Sequence, residues 1–385
     1  MSKDSRFAAL ILAAGYSSRA PGFKPLLPLG ERTVIEAAIT SFRQAGIGDI
    51  MVVVGHRADE LLPVLANLEA RPVLNEWCDK GMFSSVVTGV RALRPEVEAF
   101  FLLPADMPLI RSHTIRLLVR AHKMLGADVN YPVFQGRRGH PPLISSRLLP
   151  AILAWNRPEG LRPLLEQYES KAYEVDVLDE GVLMDIDTPQ DYHMVGECYS
   201  RRYLPTRNEC EAIMTKMTVP DMVARHGRLV AEVAWGLAEQ LNQISPGLDA
   251  NLVMAAGLLH DLAKGKPDHA SRGARMLRRL GYPRVAEIVA CHTDIVWQDN
   301  QLLNEAAIVY LADKLVLKDR IVSIEERFQC SLAKFAADED ALLAIRGRQE
   351  KTQAIIKKIE QLLGLDLAAA IAAETKSRRL PWEGR

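Results

Sequence analysis

Apolar residues are distributed in two regimes along this chain. Up to about residue 200 they come in short, fully apolar runs, at 7–12, 50–54 and 99–103, separated by stretches with helical spacing. Such runs suit parallel strands buried on both faces. Further strands are predicted at 71–74, 129–132, 142–144, 172–177 and 182–186, with helices between most of them. In the stretch 33–45, Val34, Ala37, Ala38, Ile39 and Phe42 fall on or near one helical face, with Gly46 just past its end. The alternation predicts a three-layer α/β domain with a mostly parallel sheet, in which ligands sit beyond the carboxyl ends of the strands. Near Cys198 the pattern changes, and every later long segment has the helical period: 220–241, 249–263, 268–280, 283–291, 304–317, 324–336 and 339–363. The expected organisation is an α/β domain over 1–200, a polar connector over 201–219, an all-α domain over 220–375 and a frayed, charged end over 376–385.

Length agrees with two domains, since 385 residues is long for one core. The balance of 48 basic and 48 acidic side chains gives no surplus to attract a nucleic acid and favours small-molecule chemistry. Five cysteines without a CxxC pair suit a reducing compartment. The first residues lack the apolar core of a secretory signal, and no apolar run is long enough to span a bilayer. A cytoplasmic protein that engages neither membrane nor nucleic acid is expected.

The first strand empties into the stretch that organises the first half: Leu12, Ala13, Ala14 and Gly15, then Ser17, Ser18, Arg19 and, after a short turn, Lys24. Gly15 lets the backbone approach an anion, the two serines add donors, and Arg19 and Lys24 bring positive charge. The segment fits neither GxGxxG nor GxxxxGK[ST], so neither of those mechanisms transfers. A second polar point is Asp106, where the run 99–103 ends in Pro-Ala-Asp-Met-Pro. A carboxylate at that edge can hold a hard cation against phosphates, or simply make a turn beside proline. Asp185 and Asp187 precede a helix beginning near Pro189, where either Thr188 or Asp187 could be the cap. Arg137, Arg138, Gly139 and His140 form a glycine-bracketed basic turn that can also be a plain reverse turn.

Leu12-Ala13-Ala14-Gly15-x-Ser17-Ser18-Arg19 followed by Lys24-Pro25-Leu26-Leu27 resembles the signature of the nucleotidyltransferases that use molybdopterin as acceptor, in its cytidylyltransferase form. Ala20 departs from that pattern, which commonly has Met. The resemblance implies transfer of CMP from CTP to molybdopterin with release of pyrophosphate, with Mg2+ as cofactor. It implies that Leu12 to Gly15, Ser17, Ser18, Arg19, Lys24, Ser84 and Ser85 bind the nucleotide, and that Arg138, Gly139 and His140 meet the pterin-bearing substrate. Lys24, Arg19 and Asp106 would be catalytic, with Asp106 as principal magnesium ligand. Asp187 would complete the metal site, unless Asp185 does. The alternative acceptor is a sugar or polyol phosphate. A molybdenum enzyme apo-protein would be a possible partner of such an activity, and the oligomeric state is unmarked.

In the helical half, His226, His260, Asp261, His269, His292 and Asp313 are hydrophilic groups on otherwise apolar segments. Each histidine alone could be a satisfied core residue, but buried polar groups need partners, and imidazoles with carboxylates form a coherent set for iron, manganese or another divalent metal. Their order resembles the HD superfamily of metal-dependent phosphohydrolases, with His269 and His292 matching the extra ligands of its two-metal members. The resemblance implies hydrolysis at one or two metals. Lys264, a turn beyond His260 and Asp261, is a candidate phosphate contact. The alternative is a nucleotide-sensing module without turnover.

Overall fold

The computed structural model describes residues 6–16, 22–157, 159–298 and 301–376. It divides into two compact units, Met1–Arg202 and Tyr203–Arg385. No helix among the described residues is long and apolar enough to cross a membrane.

In the first unit the elements run β1 (Phe7–Leu12), β2 (Pro28–Leu29), β3 (Arg32–Thr33), α1 (Val34–Gln44), β4 (Asp49–Val54), α2 (Ala58–Asn67), β5 (Arg71–Leu74), α3 (Met82–Arg91), β6 (Ala99–Pro104) and α4 (Ser112–Leu125). They continue with β7 (Val129–Phe134), β8 (Arg137–Arg138), β9 (Leu143–Ser145), α5 (Leu149–Ala154), α6 (Arg162–Glu166), β10 (Ala172–Asp176) and α7 (Pro189–Ser200). The main sheet has the order β10-β7-β9-β6-β1-β4-β5, with β8 paired to β7. Its pairings are parallel except those of β9 with β6 and β7 and of β8 with β7. Because β1 lies between β4 and β6, successive connections leave it in opposite directions, and a crevice opens at its carboxyl end. Every residue of β1 from Phe7 to Ile11 is inaccessible to solvent, as the uniform apolar run requires. A Cβ at Gly89 would stand 2.2 Å from Leu10 Cδ1, so glycine lets α3 lie directly on this strand.

One expected strand is absent. The stretch 182–186 forms no strand; a 3-10 turn covers Glu180–Leu183. Buried Asp179 accepts hydrogen bonds from the Arg111 and Gly181 amides and the Thr114 hydroxyl, and a Cβ at Gly181 would stand 2.6 Å from Leu109 O. That anchoring curls the chain before it can join the sheet.

The second unit contains α8 (Arg207–Lys216), α9 (Asp221–Ile244), α10 (Ala250–Leu259), α11 (His269–Leu280), α12 (Pro283–Cys291), α13 (Glu305–Leu315), the hairpin β11 (Val316–Leu317) and β12 (Arg320–Ile321), α14 (Ile324–Lys334), α15 (Glu339–Leu363) and α16 (Leu367–Lys376). Helix α8 falls inside the stretch expected as a connector. Its Thr206–Glu209 capping box starts it, and Cys210, Ile213 and Met214 are buried. Every residue of α10 but Asn251 is buried, the mark of a helix enclosed on all sides. Glycine makes its crossing with α9 close: a Cβ at Gly227 would stand 2.7 Å from Leu258 O, and one at Gly257 2.7 Å from Ala231 Cα.

Candidate active sites of the two units

The crevice beyond β1 gathers side chains from three distant segments. Lys24, in a 3-10 turn after the first loop, places Nζ 2.8 Å from Asp106 Oδ2 and 2.8 Å from Asp187 Oδ1. Asp106 is positioned by the strand pair: the Ala105 amide donates to Leu12 O, and Asp106 O accepts from the Ile186 amide. Thr188 is the cap of α7, forming a capping box with Asp191, which leaves the Asp187 carboxylate to Lys24. Burial alone would depress the Lys24 pKa, but its hydrogen bonds to the two carboxylates prevail and raise it. Asp185 lies close enough to Asp106 and Asp187 that its pKa is raised, by burial first and then by their charge.

Leu12, Ala13 and Ala14 are locked into this edge. The Ala13 amide donates to Val53 O, and Ala14 O accepts from the His56 amide, while Gly15 has open space around its α-carbon. Ser17, Ser18 and Arg19 lie outside the described residues. Ser84 and Ser85 face Asn75 Nδ2, at 2.8 and 3.0 Å. Asn75 Oδ1 in turn accepts from the Trp77 amide. A Cβ at Gly55 would meet Ala14 Cβ and Cys78 Cβ within 3 Å, so glycine lets this segment close on the loop after β1. Asn75 was not singled out by sequence. Its signal is its place directly after β5, on the strand edge where ligands sit.

The basic turn divides. Arg138 stacks over the Tyr131 ring and pairs with Glu169 and Glu174. Gly139 is a packing requirement, because a Cβ there would stand 2.3 Å from Val182 O. His140 alone turns toward the carboxylates. Its Nδ1 is buried without a hydrogen-bond partner, burial lowers its pKa, and the charges of Asp106 and Asp185 act on it.

In the second unit all six expected ligands converge. Asp261 stands at the centre: Oδ1 lies 3.3 Å from His269 Nε2 and 3.4 Å from His292 Nε2, and Oδ2 lies 3.5 Å from His260 Nε2 and 4.0 Å from His226 Nε2. Asp313 Oδ1 is 3.1 Å from His226 Nε2 and 3.5 Å from His260 Nε2. Two ligand groups therefore share Asp261: His226 with His260, and His269 with His292. Orientation is set from behind. Nδ1 of His226, His260 and His292 faces the backbone oxygens of Lys318, Gly257 and Val289 at 2.9, 2.8 and 2.7 Å. A carbonyl can only accept, so each Nδ1 carries a proton and each Nε2 is left to face the carboxylates. The β11–β12 hairpin, which begins where the helix was expected to run on to 317, carries Lys318 O in its turn.

This set fits divalent metals. His260 Nε2 and Asp261 Oδ1 are buried without hydrogen-bond partners, and two imidazole nitrogens, of His269 and His292, face each other at 3.2 Å. Burial lowers the His260 pKa, but Asp261 and Asp313 outweigh it and hold it at about 10. Burial would raise both carboxylates; the imidazoles around Asp261, and Lys314 with His226 and His260 around Asp313, hold them low instead. A site that attracts protons this strongly attracts metal cations for the same reason. Lys264 is drawn to Asp261, with Nζ 2.8 Å from Oδ2. Asp106 and Asp187, both converging on one cation, are oxygen donors of the kind that hard cations take.

Residues 9–172 match the family of the MobA-like NTP transferase domain, and residues 223–317 match the HD domain. Both families generally use divalent metals. The chain is 29% identical over 197 residues to the molybdenum cofactor cytidylyltransferase of Escherichia coli (strain K12), covering 51% of this chain and 98% of that protein. It is 31% identical over 192 residues to the nicotine blue oxidoreductase of Paenarthrobacter nicotinovorans, covering 48% of this chain and 93% of that one. Among solved structures, a nucleotidyl transferase from Methanothermobacter thermautotroptrophicus is 27% identical, with a TM-score of 0.46 over 51% of this chain and 99% of the other. The chain belongs to the MobA-like NTP transferase family and carries an HD domain after its transferase domain.

Proposed function

We propose that the first unit transfers CMP from CTP to the terminal phosphate of molybdopterin, releasing pyrophosphate, and that the second unit hydrolyses a phosphate ester or anhydride at two metals. The observation that carries the first reading is the convergence of Lys24, Asp106 and Asp187 beside the loop after β1. Phosphoryl transfer asks a protein for positioning and charge neutralisation more than for covalent help. Backbone amides after Ala14 would hold the departing phosphates, and Lys24 would offset their charge. Asp106 and Asp187 would hold magnesium, whose chemistry there is neutralisation of the α-phosphate. Asp185 and the neutral imidazole of His140 border the same space and would orient the acceptor.

The second reading rests on the ligand set centred on Asp261. Metals held there would supply Lewis-acid polarisation of a phosphoryl oxygen. Lys264 is the chain's own cation beside that point.

One observation favours a different acceptor for the first unit. Arg138 is paired with Glu169 and Glu174, which weakens its support as a pterin contact and keeps a sugar or polyol phosphate as the second reading. Pyrophosphate release from each NTP with magnesium, in the presence of molybdopterin or of sugar and polyol phosphates, separates them. Release that requires CTP and molybdopterin supports the first; release with another phosphate acceptor alone supports the second.

A further inference from the structure

Helix α11 begins at the metal-site residue His269 and reads HASRGARMLRRL. It buries Ala270, Gly273, Ala274 and Leu277, and exposes Ser271, Arg272, Arg275, Arg278 and Arg279. At 3.6 residues per turn, Arg272, Arg275 and Arg279 fall within about 60° of arc and extend over about 10 Å of the axis. The row starts three residues after His269, the separation that brings side chains together on a helix. Lys266 is exposed in the turn just before it.

Arg272, Arg275, Arg278, Arg279 and Lys266 form no ion pair among the described residues, and neither do Arg327, Arg346 and Arg348 of the same unit. Two features separate this row from an ordinary solvated face. The helix itself contains no acidic residue, so like charges repel at 272/275, 275/278 and 275/279. The helix dipole accounts for Arg278 and Arg279 in the last turn but opposes Arg272, which lies where anions are preferred.

We propose that α11 is an oligophosphate track. Arg272, Arg275 and Arg279 bind phosphoryl groups beyond the one placed at the Asp261 centre, so the helical unit takes a small polyanion with three or more linked phosphoryl groups. Guanidinium groups suit this role because each meets phosphate oxygens in a two-pronged fork. A single phosphate meets only one end of the row. The exposed face of α11 has no aromatic residue on which bases could stack, which separates the track from a single-stranded nucleic acid groove. That the bound polyanion is a substrate rests on the hydrolytic reading of the centre; that it binds does not.

The test is equilibrium dialysis of the full-length, metal-loaded protein against inorganic tripolyphosphate and, separately, orthophosphate. The wild type is compared with the triple variant Arg272→Gln, Arg275→Gln, Arg279→Gln. Both are also measured with Lys24→Met, which weakens the phosphate site of the first unit. The replaced residues are exposed, so melting temperature and metal content stay at wild-type values. The expected result is tripolyphosphate binding at least tenfold weaker in the triple variant in both backgrounds, with a shallower salt dependence, and orthophosphate binding within twofold. Tripolyphosphate binding within twofold of wild type overturns the track, as does an equal loss for both probes. Orthophosphate release from tripolyphosphate is followed in parallel. If the arginines govern binding but no wild-type release occurs, the track stands and the hydrolytic reading of the centre falls.

Discussion

The two sites in this chain surround their carboxylates differently. At the edge of the sheet, Asp106 and Asp187 already share a cation, Lys24, and the Asp187 side chain is 43% exposed. In the helical unit Asp261 is 3% exposed and also meets a lysine, Lys264, but its other neighbours are imidazoles, three of them held from behind by backbone carbonyls, and His260 Nε2 and Asp261 Oδ1 are buried without hydrogen-bond partners. The first site is assembled from loops and must rearrange its ion pairs around an arriving nucleotide. The second is built in advance by close helix packing, and its ligand geometry costs little to adopt when metal binds. Small residues do that building: Gly227 and Gly257 bring α9 against α10, and so His226 toward His260.

The contrast can be broken most forcefully at Asp261. Asp261→Asn removes the carboxylate that both ligand groups share, and metal bound to the helical unit should fall at least tenfold by elemental analysis. CTP-dependent pyrophosphate release should change less than twofold. The reciprocal variants come next. Asp106→Ala and Asp187→Ala should each lower pyrophosphate release by about a hundredfold or more, the scale of losing one preorganised charge contact in a transfer site, while elemental analysis of the second unit stays unchanged. Asp185→Asn should cost less than either.

A smaller effect tests whether packing builds the second site. In Gly227→Ala the new Cβ would stand 2.7 Å from Leu258 O, and overpacking of this kind costs about 1–3 kcal/mol. Calorimetry should find the helical unit melting earlier, with weaker metal retention, and the first unit unmoved. The smallest effect concerns protons in the first unit. Burial, then the charge of Arg147, lowers the His122 pKa below that of an ordinary histidine. The folded state therefore binds fewer protons than the unfolded one, so His122 costs no stability above about pH 6.5 and takes stability away as the pH falls toward its folded value. His122→Gln should narrow the gap in melting temperature of the first unit between pH 7.5 and 5.5.

How far the sequence could be read differs between the two halves for the same physical reason. Apolar runs locate buried strands well, so β1, β4 and β6 and the edge they share were legible, and with them Lys24 and Asp106. The curled 180–183 turn was not, because Val182 and Ile186 look like strand residues until Asp179 is seen to be capped from α4 and its approach. The partners of Arg138, Glu169 and Glu174, were not legible for a similar reason: they lie more than thirty residues away. In the helical half, hydrophilic residues on apolar segments marked all six groups that come together around Asp261. The orienting carbonyls did not show, since a backbone oxygen such as that of Lys318 has no sequence signature.

The most direct test of the central claim, two independent phosphate chemistries in one chain, is pyrophosphate release from CTP with magnesium and molybdopterin in three proteins: wild type, Asp106→Ala and Asp261→Asn. The account predicts release by the wild type and by Asp261→Asn within twofold of each other, and its loss in Asp106→Ala. No release by the wild type, or a loss in Asp261→Asn as deep as in Asp106→Ala, would contradict it.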